Sequence, residues 1–238
     1  MAVRFNADAD IVYGFYNLGG AGHVNFALGG YFYLEEYNDS AGILALSHSS
    51  NGRTLNIGCD NNFPTPRVCQ GDQLGTTALG TSPPLNTWVY LEISSPNTTG
   101  GTVTLRWVEL DGSTVTSSTR TNNVESSVQG EAIFLNGGGA NGFTGGLRAA
   151  YVRAYSTPSA DDATFLTRAA QSTGSGCYLW WPLADNTDTS DGSGNGRTCT
   201  FSGTLTTETS PTLGGGGGAT PHGPFGLALH GPLGRVFG

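Results

Sequence analysis

The stretch that most constrains this chain is Thr102-Val-Thr-Leu-Arg-Trp-Val108, where apolar and polar residues alternate from Val103 to Trp107. Successive strand residues point to opposite faces, so Val103, Leu105 and Trp107 are expected on a buried face and Thr104 and Arg106 toward solvent. Similar runs, rich in aromatic and β-branched residues and bounded by Gly, Asn, Asp, Ser and Pro, recur along the chain. Strands are expected at Asp10–Tyr16, Asn25–Glu35, Ile43–Ser47, Thr54–Gly58, Thr87–Ile93, Thr102–Leu110, Ser113–Thr119, Glu131–Leu135, Leu147–Tyr155 and Tyr178–Pro182. Asp111-Gly112 between two of them reads as a tight type I′ hairpin turn.

Only one convincing helix interrupts the pattern. Pro158 and Ser159 precede Ala160–Ala170, with Asp161 and Asp162 in the first turn and Arg168 near the end, which makes Ser159 the expected N-cap. With 38 glycines and 12% charged residues in 238, the composition favours short strands and tight turns over amphipathic helices. This length suits one sandwich domain, placed at residues 1–213, followed by a tail at 214–238. The tail holds five glycines, Gly214 to Gly218, and a short repeat, His222-Gly-Pro-Phe-Gly and His230-Gly-Pro-Leu-Gly. Such a segment cannot build a core alone, so Phe225, Leu227, Leu229, Leu233 and Phe237 are expected to dock on the domain or on a neighbouring subunit.

Charge narrows the partners. The net charge is −8 and the ten basic residues are arginines scattered singly, so neither a phosphate-tracking groove nor a polybasic membrane patch is present. No apolar run reaches the roughly 18 residues that span a bilayer. Met1-Ala-Val-Arg-Phe5 enters a strand directly with no apolar leader, from which cytoplasmic synthesis without a secretory signal is expected. Four cysteines are spaced as two local pairs, Cys59 with Cys69 and Cys177 with Cys199. They suit disulfides or buried thiols, and their spacing is wrong for a zinc ribbon.

Chemistry-bearing motifs are sparse. Glu109 and Asp111 are two apart, but Asp111 serves a turn, while adjacent Glu35 and Glu36 point to opposite faces, so the paired carboxylates of a glycosidase are not expected. Asp191-Gly-Ser-Gly-Asn-Gly196 imitates a nucleophile elbow without its strand-to-helix setting, and it lacks the Lys of a phosphate loop. Asn6, Asp8 and Asp10 alternate at the first turn and supply oxygen ligands of the kind calcium takes, against the alternative of ordinary Asx turns. Tyr37 beside Asn38 and Asp39, and Phe63 in the Cys-bounded loop, are the rings placed to stack on a sugar; most other aromatics, Trp88, Trp107, Trp180 and Trp181 included, read as core.

The order of these pieces resembles the laminin-G-like, concanavalin-A-like jelly rolls found in bacteriophage and bacterial particle-surface proteins. The likeness rests on Val3-Arg-Phe with its Asp-rich turn, Asn86-Thr-Trp-Val-Tyr90, Val-Glu-Leu-Asp-Gly112, Gly145-Gly-Leu-Arg to Tyr155 with Pro158–Asp162, and Trp180-Trp-Pro-Leu-Ala-Asp185 with Asp191–Gly196. It implies an all-β sandwich of two antiparallel sheets, often a glycan-binding module, sometimes with calcium at its rim. The function so expected is a non-enzymatic virion surface protein, such as a capsid decoration or fibre protein, that contacts other virion subunits or itself and takes cell-surface glycans. A lectin-like carbohydrate-binding module is the alternative, and a degenerate glycoside hydrolase the third reading.

Overall fold

The computed structural model describes residues 1–15, 26–37, 42–47, 54–60, 63–70, 82–95, 102–110, 112–121, 132–136, 143 and 145–209, with backbone alone at 47, 54–56, 58–60, 63–70, 95, 120 and 121. The expected docking tail, Phe225 to Phe237 included, lies outside the described residues, as do Asn38, Asp39 and Asp111.

Along the chain the strands are β1 (Ala2–Phe5), β2 (Ile11–Phe15), β3 (Phe26–Leu34), β4 (Gly42–Ser47), β5 (Thr54–Asp60), β6 (Phe63–Gln70) and β7 (Trp88–Ser95). There follow β8 (Thr102–Glu109), β9 (Thr116–Thr121), β10 (Ala132–Leu135), β11 (Leu147–Tyr155), helix α1 (Asp162–Ala170), β12 (Leu179–Trp181), β13 (Thr200–Ser202) and β14 (Thr206–Glu208). They form two antiparallel sheets: one ordered β14-β1-β11-β3-β7-β8-β9, with β12 also pairing β11, and one ordered β13-β2-β10-β4-β5-β6. This is an all-β jelly-roll sandwich of the concanavalin-A-like kind.

Period-two alternation decides which residues fill it. From the larger sheet Val3, Phe5, Leu28, Phe32, Leu34, Val89, Leu91, Ile93, Val103 and Leu105 face the smaller sheet's Val12, Leu44, Leu46, Ile133 and Leu135, and half-buried Trp107 packs against the same core. On β11 the inward set is Leu147 and Ala149, then Val152 and Ala154; a bulge between Ala149 and Tyr151 changes the parity. The bulge therefore turns both Ala150 and Tyr151 outward. Opposite it, Gly30 is required: a Cβ there would lie 2.3 Å from the Tyr151 carbonyl oxygen.

The larger sheet's outer face is covered as well. Phe165 and Ala169 of α1 pack with Ala2, Tyr31, Tyr90, Val108, Ala150 and Tyr151 in a second buried cluster. Consequently Arg106 does not face open solvent as the alternation implied; its guanidinium reaches Asp162 of α1 at 2.9 Å. The helix begins two residues later than a Ser159 cap would place it. Asp161 is the N-cap, its carboxylate accepting from the Thr164 N–H at 2.7 Å. Ser159 is buried instead, held between Glu92 and Arg168.

Two further expectations are corrected. The β8–β9 hairpin exists, but the Gly112 N–H closes a turn on the Glu109 carbonyl at 2.9 Å and pairing resumes only at Trp107↔Thr116, so the connection is longer than a two-residue turn. The segment bounded by Cys59 and Cys69, read as a loop, is the β5–β6 hairpin, with Asp60 opposite Phe63.

Candidate functional site

Where β7 begins and β8 ends, both strands run past the covered core to the rim of the larger sheet. Asn86 holds the entry to β7 with φ of 56° while its N–H donates to the Leu34 carbonyl at 2.7 Å. Across the pair, the Leu110 N–H donates to the Trp88 carbonyl at 2.9 Å, extending the ladder one residue beyond β8. Between these strand ends and the β8–β9 connection opens a cleft of about 430 Å³ lined by Thr87, Trp88, Glu109, Leu110, Gly112 and Thr114.

Trp88 and Leu110 are half-buried and rest on the cluster under α1. Glu109 pairs in register with Val89, a core residue, yet it is exposed because the strand has left the core behind. Among the described residues its carboxylate has no hydrogen-bond or ion-pair partner. Beside the cleft, Trp88 and Tyr33 sit 5.6 Å apart across β7 and β3, and the Arg148 guanidinium lies 4.7 Å over the Tyr33 ring. Arg148 and Arg4 each bridge both Glu35 and Glu208, closing a square of two arginines and two carboxylates.

Under α1 lies a buried polar layer that does not open to the cleft. Glu92, 1% exposed, accepts from the hydroxyls of Tyr90 at 3.0 Å, Ser94 at 3.2 Å and Ser159, and from Arg168 at 3.3 Å. Burial, reinforced by the Glu92 charge, pushes the Tyr90 hydroxyl well above its ordinary value. Arg153, fully buried, has its guanidinium 3.9 and 4.0 Å from the ring centroids of Tyr151 and Trp180 and donates to the carbonyls of Arg168 and Gln171 at the C-terminal end of α1. These groups hold the helix on the sheet.

The residues expected to act are dispersed. Tyr37 is half-buried against the main core and its hydroxyl donates to the Pro83 carbonyl, so its ring is not a free stacking surface. Phe63 falls in β6, with its side chain outside the described residues. Asn6, Asp8 and Asp10 share one turn, but the Asp10 carboxylate accepts from the N–H groups of Asn6 at 2.6 Å, Ala7 at 2.9 Å and Thr204 at 2.5 Å. Burial alone would raise its pKa; these backbone donors and the Thr204 hydroxyl outweigh it, and the net shift is downward. The Asn6 amide donates to the Thr204 carbonyl, and Asp8 is exposed. No group of three or more His, Cys, Asp or Glu side chains that could hold a metal occurs among the described residues.

Cys177 and Cys199 are free thiols rather than a disulfide, because they are buried in separate places: Cys177 with Ala27, Tyr155 and Trp180, Cys199 in the main core. The side chains of Cys59 and Cys69 lie outside the described residues. In the elbow-like segment, Asp191 staples the loop by accepting from the N–H groups of Trp180, Ser193 and Arg197, and Ser193 donates its hydroxyl back to Asp191 at 2.8 Å.

A second surface feature lies on the smaller sheet, facing away from α1. Tyr13, Phe15 and Phe134 form a ring cluster with centroids 5.5 to 6.3 Å apart, and Phe15 is 66% exposed. Neither surface is marked in the sequence, where Trp88 reads as core and Tyr13, Phe15 and Phe134 fall within strand-like runs. The available signal was position: Trp88 stands at the first residue of its strand, directly after Asn86-Thr87.

No family profile matches the sequence, and no curated protein sequence matches it either. Solved structures share the fold. One is a candidate carbohydrate-binding protein from Bacteroides ovatus, with TM-score 0.58 and 12% identity; the match covers 88% of this chain and 60% of that one. Another is a glycoside hydrolase family 54 α-L-arabinofuranosidase, with TM-score 0.52 and 12% identity over 70% of this chain and 39% of the enzyme. This chain thus spans less than two thirds of either protein's length.

Proposed function

We propose that this chain is a non-catalytic, lectin-like carbohydrate-binding module whose ligand occupies the rim cleft. The observation that carries the reading is a rim cleft whose lining includes the half-buried Trp88 with the hydroxyl-bearing Thr87 and Thr114. Sugars present both a C–H face that packs on an aromatic ring and hydroxyls that pair with side-chain hydroxyls, and the cleft's volume lies within the usual range for small ligands. The fold shared with a candidate carbohydrate-binding protein supports the same reading. Hydrolysis would call for two carboxyl groups, about 5–5.5 Å apart for retention or 6.5–9.5 Å for inversion, whereas the described lining offers one.

The test is a glycan array with the full chain, Trp88→Ala and Phe15→Ser. Loss of an aromatic anchor should cost about 2 kcal/mol or more, roughly thirtyfold in affinity, in Trp88→Ala alone, with no release of reducing ends. Unaltered binding by Trp88→Ala would place the ligand elsewhere, and loss in Phe15→Ser would move it to the smaller sheet.

A further inference from the structure

The outer face of the larger sheet is laid out in rows, one residue per strand in register. Tyr151, Tyr31, Tyr90 and Val108 form the row that Phe165 of α1 packs on. Two residues further along β3, β7 and β8 comes the next row. In it Arg4 of β1 pairs Arg148 of β11, Arg148 pairs Tyr33 of β3, Tyr33 pairs Trp88 of β7, and the Leu110 N–H meets the Trp88 carbonyl. Val3, Phe5, Leu147, Ala149, Phe32 and Leu34 fill the core on either side of Arg4, Arg148 and Tyr33, so those three share the outer face with Trp88. The bulge on β11 decides which residue stands there. Regular pairing from Tyr151↔Tyr31 would set Ala149 opposite Tyr33; the shift gives Ala149 to Phe32 and Arg148 to Tyr33.

This row meets the cleft at Trp88. Next to that ring lies the half-buried Tyr33, 5.6 Å away between centroids, and past Tyr33 come Arg148 and Arg4, joined to Glu35 and Glu208. The four charged side chains are 24–29% exposed. Each carboxylate oxygen takes one guanidinium and keeps a second lone pair for a ligand hydroxyl. Among the described residues the Tyr33 hydroxyl and the Trp88 indole N–H have no hydrogen-bond partner. From Trp88 to Arg4 the row crosses β7, β3, β11 and β1, three strand spacings or on the order of 14 Å at about 4.8 Å each. That length exceeds one sugar and suits a chain of them. A β-1,4-linked chain stays extended over it, with ring faces on Trp88 and Tyr33 and later hydroxyls against the arginines and carboxylates.

Taking the cleft as a sugar site, we propose that it is one end of a track that binds a linear β-1,4-linked glycan along its length, across the strands from Trp88 to Arg4. The experiment is titration calorimetry of the full chain with β-1,4-linked gluco-, manno- and xylo-oligosaccharides of increasing length, from disaccharide to hexasaccharide. In the series that binds, affinity is expected to rise about tenfold or more from disaccharide to tetrasaccharide and then level off. Trp88→Ala should weaken every length. Arg4→Gln and Glu208→Gln, at the far end of the row, should each cost the tetrasaccharide about threefold while leaving the disaccharide unchanged, with thermal midpoints showing that the variants are folded. Trp88-dependent binding that is equally tight at every length would overturn the track while leaving the cleft as the sugar site. A gain with length that survives both far-end variants would likewise overturn it, since the chain would then run elsewhere. No Trp88-dependent binding in any series would overturn the cleft, and the track with it.

Discussion

Replacing Glu92 by Leu tests whether one buried ion pair pins α1 to the sandwich. Glu92 and Arg168 have side chains only 1% and 9% exposed, 3.3 Å apart at closest approach. Removing the carboxylate leaves the Arg168 guanidinium beneath the helix with Thr157, the Ser159 hydroxyl and the Tyr155 ring, and takes the acceptor from the hydroxyls of Tyr90 and Ser94. Deleting one partner of a buried pair costs about 3–5 kcal/mol, because the other charge stays desolvated without compensation. At about 2–4 °C per kcal/mol for a domain of this size, Tm should fall by roughly 6–20 °C. Joining it to Arg168→Met restores apolar volume where the pair stood, so the double variant should be at least about 1–2 kcal/mol more stable than the sum of the single losses predicts. Thermal and urea unfolding give the energies, and hydrogen exchange of the α1 amides localises them. A Glu92→Leu midpoint within about 2 °C of the parent, or strict additivity in the double variant, would refute the argument.

Three other outcomes are expected. Asp10→Asn should destabilise the chain by about 1–3 kcal/mol at neutral pH. Because the folded carboxyl titrates below its ordinary value of 3.8, that advantage is present above the unfolded pKa and lost as pH falls through the folded one; the gap between parent and variant should close below about pH 4, and a gap constant from pH 7 to 2 would contradict it. Burial and the nearby Asp188 push the Cys199 thiol up to about 12, and burial raises Cys177, so peptide mapping after alkylation at pH 8 should find both unlabelled in the native chain and labelled after denaturation. A chain stopped at Leu213 retains every described strand, the last ending at Glu208, and should unfold cooperatively near the full-length midpoint; light scattering on both forms shows whether residues 214–238 carry self-association.

Much of the sandwich was legible because alternation is a local signal with a non-local meaning: Val103 and Leu105 face the core as their spacing requires. What escaped was decided by distant partners. Ser159 looks like a cap until Glu92, 67 residues away in sequence, claims its hydroxyl, leaving the cap to Asp161. Pro64 and Pro66 are unusual in a strand, yet among the described residues β6 is the outer strand of its sheet and pairs with β5 alone, where a missing N–H is tolerated. Trp88 and Leu110 carry nothing in their own neighbourhoods to mark a cleft; the ladder between β7 and β8, continued by the Leu110 N–H to the Trp88 carbonyl, brings them together. Asp10 offered calcium oxygens on paper, but Thr204, almost two hundred residues later, occupies them with its N–H and hydroxyl.

The antiparallel pairing of β1 with β14 sets Ala2 opposite Glu208. The chain thus enters β1 and leaves β14 at one margin of the larger sheet. Trp88 stands four strands away across β1, β11 and β3, on the order of 19 Å at about 4.8 Å per spacing. A tether joined directly to β1 or β14 would therefore attach at that margin, apart from the strand ends that form the cleft.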